Sequence, residues 1–205
     1  NVFEGNTISG GFYGATLVGS TTQLISDNSF INNTFKDFYN YGLYIAGTNR
    51  TLIEGNTFSR PTRTSVTTGY GIFSTAAFSN SLVISKNRIT NLYGGLPTAT
   101  LPSYGIYHNS VNATIGNENI VSNNLIHSLN GNGASYGIYN VTSAGVNYYH
   151  NTIALDDVAS TAAGATVGFY QTGVANGVQF INNNISITRG GNGIKHALFY
   201  ANTTS

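Results

Sequence analysis

The sequence predicts an all-β protein wound as a parallel β-helix, a solenoid of about seven coils of roughly 30 residues each. Two recurring anchors and the composition between them make that prediction. The first anchor is the glycine of a Tyr-Gly-apolar-aromatic word, at Gly14, Gly42, Gly71, Gly105, Gly137 and Gly168, with Ala197 in the seventh slot. The second is the asparagine of apolar-x-x-Asn-x-apolar, read at Asn6, Asn28, Asn56, Asn87, Asn124, Asn151 and Asn183. The segments around both are short, alternating and rich in Ile, Val, Phe, Tyr and Thr, which is strand composition. None shows about ten residues of helical periodicity, and Gly and Asn punctuate them.

The first anchor recurs at spacings of 28, 29, 34, 32, 31 and 29 residues, and the second drifts with it. "YGATLVGSTTQLISDNSF" from Tyr13 aligns without a gap to "YGLYIAGTNRTLIEGNTF" from Tyr41. A coil of this length, made of short strands and turns, pairs each strand with its copy in the next coil. Seven coils at a strand spacing of about 4.8 Å make a rod of about 34 Å.

Strand alternation then assigns faces. Inward from the first strand are Leu43, Ile72, Ile106, Ile138, Phe169 and Leu198. Inward from the second are Phe3, Ile25, Ile53, Ile84, Val121, Tyr148 and Phe180. Beyond the asparagine come Ile8, Phe30, Phe58, Ile89, Ile126, Ile153 and Ile185. Like stacks on like, so each coil covers apolar surface that a single coil exposes.

An asparagine recurring once per coil at a turn resembles the Asn ladder of right-handed parallel β-helix proteins, the pectate-lyase-like superfamily. The low charge and the Asn-Thr-Ile and Tyr-Gly-Ile-Tyr vocabulary are similar to repeats in large exported surface proteins of Bacteroidetes-type bacteria. The resemblance covers essentially the whole chain. It implies a right-handed winding, stacked side-chain amides, and an extracellular or cell-surface location. It implies no activity, because fold does not fix function.

Composition excludes several classes. Of 205 residues, 40% are apolar, so the chain does not read as disordered. Only 7% are charged and the net charge is +1, which gives no electrostatic case for nucleic acid or an anionic membrane. No run approaches the roughly 18 apolar residues of a membrane-spanning helix. Without cysteine there is no disulfide and no thiolate metal site, and no cofactor is expected. Residues 1–205 read as one β-helix segment of a longer chain. No methionine is present, "NVFEGNTI" is not a signal peptide, and neither end shows a polar cap. Contiguous coils or capping domains are therefore expected to cover the ends.

The strongest outward signal is an aromatic column two residues after the glycine: Tyr44, Phe73, Tyr107, Tyr139, Tyr170 and Phe199. With glycine read as the other outward position, the ring faces would lie open to the apolar faces of sugars, with hydroxyls adding polar contacts. The candidate partners are a polysaccharide or another surface protein. The competing reading is a ladder that simply stabilises the sheet.

Catalytic signals are sparse. The resemblance implies that a lyase or hydrolase of this kind would need acidic calcium ligands with an arginine, or clustered aspartates. The chain has seven acids. Asp156-Asp157 lies in a loop, where solvation is the plain reading. Glu4 and Glu54 share a column with Asp27 one residue out of step on the intervening coil. Two coils separate the glutamates by about 9.6 Å, just beyond the range of about 6.5–9.5 Å for inverting glycosidases. His108, His127, His150 and His196 fall in four columns and do not converge as metal ligands must. Arg60, Arg63 and Arg88 could approach one another through the longer loop "SRPTRTSVTTG" as a small basic spot, although a solvated loop is the favoured reading. Asn-x-Ser/Thr triplets at Asn32, Asn49, Asn112, Asn140, Asn184 and Asn202 occur at chance frequency.

Three functions follow in order: a structural or adhesive segment of a secreted or surface-displayed bacterial protein, a polysaccharide lyase or glycoside hydrolase, and a filament subunit stacking end to end.

Overall fold

A computed structural model describes residues 1–75 and 78–201; Asn202 of the last triplet lies outside them. The described chain is all-β. Three sheets of seven parallel strands run side by side along the rod. Sheet 1 runs from Val2–Glu4 to Gln179–Ile181, sheet 2 from Thr7–Ser9 to Asn184–Ile187, and sheet 3 from Tyr13–Val18 to Lys195–Ala201. Each coil contributes one strand to each sheet, so neighbours in a sheet are one coil apart in sequence.

The turn between sheets 1 and 2 is the tightest and most regular. Gly5, Asn32, Gly55, Lys86, Asn123, His150 and Asn182 occupy it in the left-handed region, with φ between 53° and 69°. Glycine and asparagine adopt that conformation readily, and it costs Lys86 and His150 more. The next residue in every coil is an asparagine with its amide turned inward. The Oδ1 of Asn87 accepts from both the backbone N–H (2.9 Å) and the Nδ2 (3.0 Å) of Asn56. Asn87 in turn donates from both nitrogens to Asn124 and from Nδ2 to the Ile53 carbonyl. Amide and turn backbone are thereby satisfied inside the rod, where an orphaned polar group would be costly.

The ladder runs Asn6, Asn33, Asn56, Asn87, Asn124, Asn151, Asn183. The second coil therefore differs from the sequence reading. Asn28 precedes sheet 1 and pairs with Asn1, and Asn33 is the ladder residue. The cause is a five-residue excursion, Ser20 to Leu24, between Gly19 and Ile25. Gly19 still hydrogen-bonds to Ala46, yet Ile25 pairs with Thr48. Phe30 consequently fills the sheet 1 column assigned to Ile25, and Phe35 fills the sheet 2 column assigned to Phe30.

The remaining inward columns stand as read. Leu43, Ile72, Ile106, Ile138 and Phe169 are buried in register, as are Ile53, Ile84, Val121 and Tyr148, and Phe58, Ile89, Ile126 and Ile153. Burial fails only towards the ends, where Phe3 is 43% and Leu198 57% exposed, each paired on one side alone among the described residues.

The anchor glycines face inward, which overturns their assignment to the outer face. A Cβ on Gly105 would stand 2.7 Å from Ile126 Cγ2 and 2.5 Å from the Gly137 carbonyl oxygen. Gly42, Gly71, Gly137 and Gly168 meet the matching Phe or Ile of sheet 2 in the same way. Sheets 2 and 3 converge there, and only a residue without a side chain fits. Strict alternation breaks at this point, so the residues either side of the Gly-apolar pair emerge on the same outer face.

Candidate binding face

That break builds the most distinctive surface of the rod. In sheet 3 the word Tyr-Gly-Ile-Tyr places both aromatics outward, three residues apart. The predicted column Tyr44, Phe73, Tyr107, Tyr139, Tyr170 and Phe199 is in register. Its ring centroids are 4.4–5.4 Å apart with interplanar angles of 7–23°. Beside it runs a second lane that sequence reasoning missed: Tyr13, Tyr41, Tyr70, Tyr104 and Tyr136, stacked at 4.9–5.2 Å. Its signal is the tyrosine of the repeated word itself, which strict alternation around an outward glycine would turn inward.

The lanes interlock edge to face. Tyr104 and Tyr107 lie 5.0 Å apart at 83°, and Tyr136 and Tyr139 4.8 Å apart at 88°. Offset-stacked and T-shaped contacts are the favoured aromatic geometries, each contributing about 0.5–1.5 kcal/mol beyond buried area. Ring faces are therefore turned to other rings. What reaches solvent is ring edges and hydroxyl groups, and every ring of the predicted column is half-buried. The open ring faces expected from the sequence are absent from the interior of the lanes.

The face is also uncharged. Six of the seven sheet 3 strands contain no Asp, Glu, Lys or Arg, and the seventh contains Lys195. Burial holds the phenols of Tyr70, Tyr104 and Tyr139 neutral well into the alkaline range. Burial, reinforced by neighbouring tyrosines, pushes Tyr70 up to about 12 and raises Tyr104 and Tyr139 further. A neutral phenol hydroxyl can both donate and accept a hydrogen bond.

The other candidates do not assemble. Glu4 and Glu54 do share a column, with Ile31 between them. Ser85 Oγ donates to Glu54 at 2.8 Å, with Lys86 Nζ at 3.4 Å, and the serine bond holds that carboxyl below its usual range. Asp27 lies in another column and forms a two-pronged pair with Arg50, both contacts 2.7 Å. Asp156 and Asp157 accept backbone N–H groups of Ser128 and Gly131 in the preceding coil, so they brace a loop. The four histidines stay apart, and among the described residues no group of three or more His, Asp or Glu is placed to hold a metal ion.

The basic spot is not formed. Arg60 is fully buried, stacked 4.5 Å from the Tyr93 ring, and donates to the carbonyls of Leu92, Tyr39 and Thr67. Arg63 packs over Tyr39 and donates to the Asp37 carbonyl, while Arg88 donates to His127 Nε2. Arg60 and Arg189 instead fasten backbone carbonyls of the long turns between sheets 2 and 3.

A buried polar row also escaped the sequence reading. Ser74, His108, Asn140 and Gln171 continue inward the column that begins with Leu17 and Ile45. His108 Nδ1 is hydrogen-bonded to Ser74 Oγ, and burial pushes its pKa down to about 4. Among the described residues no helix is long and apolar enough to cross a membrane.

Residues 1–197 match the family model described as a right handed beta helix region. No curated protein and no solved structure matches the chain.

Proposed function

The chain belongs to the right-handed β-helix family, and from that premise we propose that it is a rigid structural or adhesive segment of a secreted or cell-surface bacterial protein, binding through the tyrosine face of sheet 3. The observation that carries this reading is the paired aromatic lanes on strands almost free of charge. A stiff rod presenting regularly spaced hydroxyls and ring edges suits an extended, uncharged partner, a neutral polysaccharide before a surface protein. Enrichment in tyrosine is also what protein-binding surfaces show, because the side chain offers contact area at low entropic cost.

Support for catalysis is weaker, since a lyase or hydrolase needs carboxylates converging on one face, and Glu4, Asp27 and Glu54 are divided between two columns and an ion pair. Loss of any activity on acidic polysaccharides in Glu54→Gln would reverse that ranking. The binding reading is tested by arraying neutral and acidic glycans against the protein and against a Tyr107→Phe, Tyr139→Phe double variant. The double variant keeps the stacked rings and removes two hydroxyls. At least a tenfold loss of neutral-glycan binding is expected; unchanged binding would take the lanes out of the case.

A further inference from the structure

Tyr139 is surrounded by four other tyrosine rings. Tyr107 and Tyr170 stack on it at 4.8 and 4.4 Å, and Tyr136 and Tyr104 meet it edge to face at 4.8 and 5.3 Å. These five belong to three successive coils, and Tyr107 and Tyr139 are 32 residues apart along the chain. A second observation, independent of this geometry, comes from composition. The chain contains 14 tyrosines and no cysteine, methionine or tryptophan. Cysteine and methionine are the side chains that ordinarily absorb oxidants. With them and tryptophan missing, tyrosine is the easiest group in the molecule to oxidise by one electron.

We propose that the tyrosine cluster centred on Tyr139 is a site of oxidative modification, where a peroxidase with hydrogen peroxide links neighbouring coils through dityrosine. Each of two phenols gives up one electron and its hydroxyl proton, and one hydrogen peroxide takes both electrons and both protons to become two waters. The two phenoxyl radicals couple at ring carbons adjacent to the oxygen-bearing carbon, forming one C–C bond. The hydrogen displaced from each coupling carbon returns to its ring's oxygen, restoring two phenols. The net change is the loss of two hydrogen atoms.

The architecture favours each step. The lanes are only half-buried, so the hydroxyl protons leave to water. Ring-to-ring separations near 5 Å let a radical formed at any lane position migrate to its neighbours, so the oxidant need not reach Tyr139 itself. Stacked rings then have to slip edge to edge, a side-chain motion the partly exposed face permits. The product is a covalent staple across adjacent coils in a chain without disulfides. It closes a loop of about 30 residues, and closing such loops restricts the unfolded chain. No bound ligand is required, so this modification stands apart from the binding role of the same face.

The test treats dilute native protein with a haem peroxidase and hydrogen peroxide, then maps cross-linked peptides by mass. Intrachain links between Tyr139 and Tyr107, Tyr104 or Tyr170, on the adjacent coils, are expected, several-fold more abundant than links through Tyr149 or the 65%-exposed Tyr200. The oxidised protein should unfold at higher urea concentration. Tyr139→Phe, which keeps a ring in the stack, should remove every link through position 139 and lower total dityrosine fluorescence, leaving links among Tyr41, Tyr70 and Tyr104 in place. Links confined to Tyr149 and Tyr200, or formed only between chains, would overturn the proposal. So would an unchanged dityrosine yield in a folded Tyr139→Phe protein. If that variant does not fold, the peptide map of the unaltered protein decides.

Discussion

Gly105 and Ile126 approach so closely that a methyl group on the glycine would stand 2.7 Å from the isoleucine Cγ2. The same substituent would stand 2.5 Å from the Gly137 carbonyl oxygen, a backbone atom of the strand in the next coil. Overpacking a tight core costs about 1–3 kcal/mol, and a backbone obstacle puts this site at the upper end. Gly105→Ala is expected to lower stability by about 3 kcal/mol, read from the urea midpoint. Gly116 is the comparison: a Cβ there meets nothing within 4 Å, and its φ of +86° leaves only conformational strain. Gly116→Ala should cost about half as much or less.

The asparagine ladder makes a positional prediction. Asn87 accepts two hydrogen bonds from Asn56 and donates to Asn124 and the Ile53 carbonyl, all inside the rod. Asn87→Ala strands buried donors and acceptors on both sides, at about 1–3 kcal/mol for each group left unpaired. A loss of about 3 kcal/mol or more is expected. Asn6 begins the ladder, is exposed, and has no coil beneath it in the described chain. Asn6→Ala should cost no more than about 1 kcal/mol. Equal losses at the two positions would show that the amide stack does not carry the stability assigned to it.

The contrast between Asn28 and Asn33 shows what was legible before the structure. "DNSF" and "NNTF" both satisfy the anchor pattern, five residues apart, and the ungapped match to the next coil favours the first. Only the pairing of Ile25 with Thr48 reveals that Ser20 to Leu24 form an excursion. A repeat fixes the number of coils well and the place of an insertion badly, because a loop of any composition fits outside the rod. The aromatic column was legible because a side chain on a strand repeats in register. Its partner lane was hidden by the assumption of strict alternation, which fails at Gly105 and its equivalents, where the sheets meet. The burial of Arg60 had no sequence signal: a lone arginine in a polar loop reads as solvated, and only packing between Phe38 and Tyr93 marks it otherwise.

His108 gives the rod an acid sensitivity of definite sign. The imidazole is fully buried, bonded to Ser74 and set against Tyr148 at 6.0 Å between ring centroids. Its pKa falls from 6.5 to about 4 through burial alone, with no charged neighbour to offset it. Between pH 6.5 and 4 the unfolded chain takes up a proton that the folded chain refuses, so stability declines as pH falls through that window. Below it both states are protonated and the loss is complete, at about 3 kcal/mol. His108→Asn, which copies the residue stacked on it in the next coil, should remove this contribution. Urea midpoints at pH 7 and pH 4.5 should then differ less in the variant than in the unaltered protein.

The tyrosine lanes impose the opposite limit at alkaline pH. Tyr70 is raised from 10.0 to about 12, chiefly by burial, with Tyr41 and Tyr107 adding repulsion between phenolates. Tyr41, Tyr44, Tyr104, Tyr107, Tyr136 and Tyr139 are all raised by the same crowding. A phenol held neutral in the fold and free to ionise in the unfolded chain stabilises the fold fully below pH 10. That stabilisation is lost as pH climbs towards 12, because the unfolded state sheds protons the folded state keeps. Since the rings contact one another, they should not titrate one by one. Phenolate absorbance should rise in a steep step that coincides with loss of the β circular dichroism signal. Replacing Tyr70 and Tyr104 together by phenylalanine keeps the stack and removes two of these protons, so the step should become shallower. A gradual titration centred at pH 10 with the fold intact would show that the lanes are open to water, and the edge-to-face packing of Tyr104 on Tyr107 would then not describe the protein in solution.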